Sequence, residues 1–236
     1  MPFQMALDEV LFRQAIRSAS PKEGVPCLRF YFSSGPWVTV GYSQKKNNSA
    51  NGLPSCRRLT GGGTVFHGQD LVFSLIAGKR HDPSFHGVPS SYIKIHEAVQ
   101  CGLEKLGKKT RFFRCTENLP KGDECFRFPI ASDLAVNGRK VAGGAQKRSC
   151  GTFLHQESLR TEGIDARDLM EAIRDGFRAV FRMEWAAADW AAEFLFQAEE
   201  LARKKYSSEE WTLGAGGGSF RQVPLNEPAA VCGGVS

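Results

Sequence analysis

Near the start of the chain, Phe3, Ala6, Leu7, Val10, Leu11, Ala15 and Ile16 recur at three- and four-residue steps. This spacing predicts an amphipathic helix over 3–19. No strand precedes it, which hints at a late start at Met1. The pattern then changes: CLRFYF (27–32) and WVTVGY (37–42) are aromatic and β-branched runs separated by Ser-Ser-Gly-Pro, which predicts an antiparallel strand pair. RRLTGGGTVFHGQ forms a polar, glycine-rich break before LVFSLIA (71–77), another strand. Pro89-Ser90-Ser91 precedes YIKIHEAVQCGLEKLG, whose Ile93, Ile95, His96, Val99, Leu103 and Leu106 predict a helix stopped by Gly107.

TRFFRC (110–115) reads as a strand. In SDLAVNGRKVAGGAQ, Asn137-Gly138 between alternating runs is the preferred two-residue hairpin turn. A regular register pairs Val136 with Arg139, Ala135 with Lys140 and Leu134 with Val141. Lys140 then shares its face with Asp133, Ala135 and Ala142. GTFLHQESL (151–159) predicts a strand, followed by helices over 165–181 and about 189–205. From 214 onward the chain is rich in Gly, Pro and Ala without periodicity, so the expected organisation is one domain over 1–213 and a disordered tail over 214–236.

Composition narrows the class. A 236-residue chain with 42% hydrophobic residues can bury one core. The net charge of +6 and pI near 9.0 come from scattered doublets such as Lys79-Arg80 and Lys147-Arg148. No long basic block is present, and no strip of aromatic and basic residues marks a nucleic-acid module. The basic balance fits an acidic partner or an anionic substrate. Seven cysteines without a CxxC pair or zinc spacing fit reduced thiols in a cytoplasmic protein and no metal. No signal peptide or membrane-spanning stretch is expected.

Five segments carry chemistry in a telling order: MALDEVLF (5–12), RRLTGGGTVFH (57–67), NGRKVAGGAQKR (137–148), FLHQESL (153–159) and KYSSEEWT (205–212). Together they resemble the biotin/lipoate protein ligase superfamily, in the branch of lipoate–protein ligase A and the cysteine-dependent octanoyltransferases. The GRGR-type loop of biotin ligases is absent. The resemblance implies an α/β (α+β) class II synthetase-like fold, with a mainly antiparallel or mixed sheet flanked by helices. It places an acyl tunnel between the glycine segment and the lysine hairpin.

The implied activity is attachment of an octanoyl or lipoyl group to a lysine of a lipoyl domain of 2-oxoacid dehydrogenases, or of the glycine-cleavage H protein. Two chemistries are compatible with it. A transferase takes the acyl group from acyl carrier protein onto a cysteine; a ligase uses ATP and Mg to form an acyl-adenylate. Neither needs a tightly bound cofactor. Absence of a C-terminal accessory domain favours transfer, and a member that only binds acyl donors or lipoyl domains is a further reading.

Cys125, in ECFRFP shortly before the hairpin, is the candidate nucleophile, and Cys150 is the competing thiol. Lys140 is the candidate cation for the donor's carboxyl, phosphate or thioester oxygen, with Asp133 orienting it. Arg57 and Arg58 are expected to bracket the anionic part of the donor. Gly61, Gly62 and Gly63, with Thr64, are expected to let backbone approach the acyl group. Gly143, Gly144 and Ala145 join them from the hairpin motif. His67 and His155 are candidate proton shuttles. Glu157 stands where a related LHQGS-like pattern has glycine, a departure that bears on donor preference.

Overall fold

The computed structural model describes residues 1–18, 25–44, 52–113, 122, 124–160 and 162–214. The tail expected after Gly214 and the last two residues of TRFFRC lie outside these. Helix α1 (Pro2–Arg17) starts on a proline at its first turn and turns Met5, Ala6, Leu7, Val10 and Phe12 inward, as its periodicity predicts. Strands β1 (Cys27–Tyr31), β2 (Trp37–Val40), β3 (Ser55–Arg57), β4 (Val65–His67) and β5 (Leu71–Gly78) follow. Helix α2 (Val88–Lys105), strands β6 (Arg111–Phe112), β7 (Leu134–Val136), β8 (Arg139–Ser149) and β9 (Thr152–Leu159), and helix α3 (Ala166–Phe181) complete the centre. Helix α4 (Ala192–Leu201) runs on as a π-turn over Ala202–Tyr206, and α5 (Glu209–Leu213) closes the described chain.

Six strands form an antiparallel sheet in the order β1-β5-β9-β8-β7-β6, and β3-β2-β4 form a second, mixed sheet. The expected β1/β2 hairpin does not form. β1 pairs with β5, Tyr31 opposite Val72, while β2 crosses to the small sheet. The Ser-Ser-Gly-Pro turn is therefore a transfer between sheets. A further difference is that α2 includes Pro89-Ser90-Ser91, which occupy its first turn.

Both faces of the large sheet are covered. On one, Phe73, Leu75, Phe153 and Leu159 pack against Ile95, Val99 and Leu103 of α2 and Ile173 and Phe177 of α3. On the other, Val72, Tyr31, Ile76 and Leu154 meet α1. This double burial is why β5 and β9 are closed to solvent along their whole length and why β5 reads as a nearly continuous apolar run. Among the described residues, no helix is long and apolar enough to cross a membrane.

Candidate active site

The hairpin at Asn137-Gly138 forms, with Asn137 and Gly138 in the left-handed region at φ 49° and 78° as a tight turn requires. Val136 faces Arg139 and Ala135 faces Lys140, but the next pair is Leu134 with Ala142. The register shift is a β-bulge, and it replaces the expected Leu134–Val141 pair. It has a consequence for function. One extra residue on β8 reverses the alternation beyond it, so Lys140 lies on the face of Gly143 and Ala145, while Ala142 joins Leu134 in the core.

Lys140 is folded back along this face. Its side chain is 3% exposed, its Nζ lies 2.7 Å from Asp133 Oδ2, and it covers Gly143 closely: a Cβ on Gly143 would stand 2.3 Å from the ammonium. Only glycine leaves that space. Burial pushes the Asp133 carboxyl up, against the opposing pull of Lys140.

The segment carrying Cys125 docks on the end of the glycine loop. Glu124 bridges Thr64, and the Cys125 N–H donates to the Thr64 carbonyl at 2.8 Å. Lys140 Nζ then donates to the Cys125 carbonyl at 2.9 Å and lies 3.2 Å from its Sγ. The guanidinium of Arg160 sits over the Phe126 ring at 3.7 Å, and Arg58 and Arg160 both act on Cys125 through space. Three cations, Lys140, Arg58 and Arg160, thus act on this one sulfur. Cys150 is exposed in the turn at the far end of β8, about 30 Å from Lys140 along the strand. The two cysteines are thus separated by geometry.

The arginine pair departs from expectation. Arg57 is fully buried, and its guanidinium donates to the carbonyls of Gly41, Tyr42, Gln44, Trp211 and Thr212. It ties α5 to the β2 exit and does not reach the cleft. Arg58 lines the cleft, but its guanidinium donates to the carbonyls of Thr39, Gly61 and Gly63, and burial lowers its pKa. It shapes the glycine loop from beneath. Gly62 adopts φ 81° and presses its carbonyl against Gly41, where a Cβ would meet that oxygen at 1.9 Å. Of the triplet, Gly62 alone lines the cleft.

The cleft runs between this loop and β8, with Met5, Tyr31, Val65, Val72, Gln156 and Ser158 continuing its walls beyond Cys125, Gly143 and Ala145. Its lining is almost wholly apolar. It holds about 30 Å³, room for roughly two water molecules. His67 lines it with both ring nitrogens engaged, Nε2 with Thr39 Oγ1 at 2.8 Å and Nδ1 with Asp70 Oδ2 at 2.7 Å. Burial pushes Asp70 up, but His67, Ser158 and the Gly68 N–H hold it at about 2.

His155 does not share the cleft. It lies on the helix face, where its ring occupies the space beside Gly144 and its Nε2 meets Glu157 Oε2 at 2.7 Å. His96 approaches the other Glu157 oxygen at 2.9 Å. Burial would raise Glu157, yet the two histidines hold it at about 2; the same carboxylate raises His96 against burial, while burial lowers His155. Glu157 is thus the centre of a buried ion cluster behind the cleft wall. Sequence reading missed Tyr31, Met5, Val72, Gln156 and Ser158. Alternation along each strand, and the helical period for Met5, could have placed them on faces, but only the strand order and the docking of α1 bring them into one cleft.

The fold is the α/β fold of lipoate–protein ligases. It superposes on lipoate-protein ligase A bound with ATP at a TM-score of 0.73, with 23% identity over 91% of this chain and 94% of that one. A bi-partite lipoate protein ligase from Thermoplasma acidophilum, studied with its E2 lipoyl domain, gives 0.69 at 23% identity, covering 91% and 92%. Residues 1–177 match the lipoyl protein ligase A/B catalytic domain, and the chain belongs to that family. Its similar relatives include octanoyltransferase LipM of Carboxydothermus hydrogenoformans, 30% identical over 89% of this chain and 76% of the relative. Octanoyltransferase LipM of Bacillus subtilis is 28% identical over 89% and 92%.

Proposed function

We propose that residues 1–213 form one catalytic domain that transfers an octanoyl group, and less readily a lipoyl group, to a lysine of a lipoyl domain or H protein through a thioester on Cys125. The observation that carries this reading is the 3.2 Å approach of Lys140 Nζ to Cys125 Sγ at an apolar cleft walled by Gly62 and Gly143. The relatives named octanoyltransferase LipM support it.

The Cys125 thiolate attacks the thioester carbonyl of octanoyl–acyl carrier protein. A sulfur–carbon bond forms to Cys125, the bond to the carrier sulfur breaks, and the carrier leaves as its thiol, taking up the proton that the Cys125 thiol released. Lys140, within reach of any oxygen on a carbon bonded to Cys125, donates to the oxyanion. Asp133 keeps the ammonium oriented. The acceptor amine then attacks the enzyme thioester, forming an amide, and its proton passes to the departing Cys125 sulfur. The net charge of +6 favours encounter with acidic lipoyl domains and with acyl carrier protein. Arg57 and His155 act on the fold and take no part in these steps.

Incubation with octanoyl–acyl carrier protein, followed by intact mass measurement, tests the reading. An octanoyl adduct is expected that hydroxylamine removes and that Cys125→Ser abolishes. Acceptor modification only in the presence of ATP, Mg and free lipoate, with no enzyme adduct, would replace transfer by ligation. Binding of acyl carrier protein or lipoyl domain with neither product would leave a binding protein.

A further inference from the structure

Behind the hairpin, a second chain of contacts reaches Lys140 from α2. Asp133, which holds the lysine, closes a tight turn. Its N–H donates to the Ile130 carbonyl at 2.9 Å, and its Oδ2 accepts from the Ile130 N–H at 2.8 Å as well as from Lys140 at 2.7 Å. The place of the carboxylate is therefore the place of this turn. Phe113, the residue after β6, holds one side of it, its N–H donating to the Asp133 carbonyl at 2.7 Å. The other side is held from α2, where the fully buried His96 donates through Nδ1 to the Ser132 carbonyl.

Both neighbours of that ring are acceptors. Nδ1 faces a carbonyl, and Nε2 lies 2.9 Å from Glu157 Oε1, so the imidazole has use for a proton on each nitrogen. Burial would lower His96, yet Glu157, the Ser132 carbonyl and Asp133 together raise it. His155 meets the other Glu157 oxygen and receives the Gln146 amide on Nδ1 at 3.2 Å, which leaves its proton on Nε2 and the ring neutral. The His96–Glu157 pair thus carries one charge of each sign, closed to solvent. A buried pair adds little net stability over apolar packing; what it adds here is direction, since each proton of the imidazolium has one acceptor. One turn earlier on α2, the Tyr92 hydroxyl donates to the Gly144 carbonyl at 3.2 Å. Helix, β8 and turn are thereby fastened together at the level of the lysine.

We propose that His96 is a positioning residue for the acylation step: anchored by Glu157, it fixes the Ser132–Asp133 peptide and so the aim of Lys140 at the oxygen on the carbon bonded to Cys125. It touches neither substrate nor the reacting atoms. The inference rests on the transferase reading and adds to it a residue pair that lies outside the hairpin motif. It also gives Glu157, which stands where the related pattern has glycine, a use apart from donor choice.

Two substitutions set rate against stability. In His96→Asn the amide nitrogen takes the position of Nδ1 and keeps Ser132, while Glu157 loses a partner; in His96→Gln the amide reaches Glu157, and Ser132 loses its donor. His96→Asn is expected to melt lower than His96→Gln yet to acylate faster. Single-turnover acylation by octanoyl–acyl carrier protein, followed by intact mass, should fall about tenfold or more in His96→Gln at an unchanged half-saturating carrier concentration, and stay within about threefold of wild type in His96→Asn. Should His96→Asn not fold, His96→Asn with Glu157→Gln removes the stranded carboxylate and carries the same expectation. In the Lys140→Met/Asp133→Asn background there is no ammonium to aim, and His96→Gln should change the rate less than about twofold.

A folded His96→Gln that acylates at the wild-type rate, a rate order that follows the melting order, or the same loss in the absence of Lys140 and Asp133 would each overturn the positioning role while leaving the transferase standing. No hydroxylamine-labile adduct on the wild-type protein would remove the transferase reading, and the positioning role with it.

Discussion

Lys140→Met separates the structural from the chemical role of the ammonium. The substitution deletes the donor 3.2 Å from Cys125 Sγ and 2.9 Å from its carbonyl, and leaves Asp133, 3% exposed, without its ion-pair partner. Breaking a buried pair from one side costs about 3–5 kcal/mol, because the remaining charge stays desolvated. Loss of one oxyanion donor lowers the rate by about 10²–10³-fold. Lys140→Met alone is therefore expected to lower both urea stability and the single-turnover acylation rate. Adding Asp133→Asn removes the stranded charge, so the double variant is expected to recover all but about 1 kcal/mol of stability. Its acylation rate is expected to stay at least 100-fold down. If the double variant regained acylation along with stability, the ammonium would be a packing group, and the assignment of Lys140 to the reacting oxygen would be refuted.

Gly143→Ala puts a methyl 2.3 Å from Lys140 Nζ; a melting temperature within a few degrees of wild type, with acylation down at least tenfold, is expected by calorimetry and intact mass. Arg57→Ala removes five donated hydrogen bonds to backbone carbonyls, two of them fully buried, each worth about 1.5–3 kcal/mol from a charged donor, so the variant is expected to lose several kcal/mol of stability in urea or to fail to fold. Glu157 at about 2 against 4.5 and Asp70 at about 2 against 3.8 bind fewer protons folded than unfolded. Their stabilisation, on the order of 2–3 kcal/mol each, is full above about pH 5 and lost as pH falls toward 2. Urea titrations should show that loss, and Glu157→Gln should flatten it.

Most of the elements and the lysine hairpin were legible in the sequence because each depends on a local rule: helical period for α1, α2 and α3, two-residue alternation for the longer strands, and Asn-Gly for the turn; β3 and β4, three residues each, were not read, and β4 falls in the segment read as a break. Cys125 was nominated by the resemblance from its place shortly before the hairpin, and the structure sets it beside Lys140. What local rules could not supply was pairing between distant segments. The aromatic runs at 27–32 and 37–42 look like a hairpin because they are close in sequence, yet β1 buries more by pairing with β5 at the sheet edge, beneath α1. Arg57 and Arg58 look like an anion clamp because two adjacent cations beside glycines usually face solvent. Here the chain folds over them, and carbonyls of the small sheet and α5 take up their donors.

The bulge at Val141 shows where the division falls. A regular hairpin would place Lys140 with Ala142 and Gly144, facing α2 and the Glu157 cluster, with no route to Cys125. The one-residue slip turns it to the other face, over Gly143. The glycine that looked like permission for an acyl chain to come close is first of all the space in which the lysine lies. It follows that restoring regular pairing, by deleting Val141, should do more harm to acylation than to secondary structure. Circular dichroism should remain near wild type while the hydroxylamine-labile adduct disappears. A deletion variant that still acylated Cys125 at the wild-type rate would show that the lysine reaches the sulfur from either face, and that the bulge is an accident of packing.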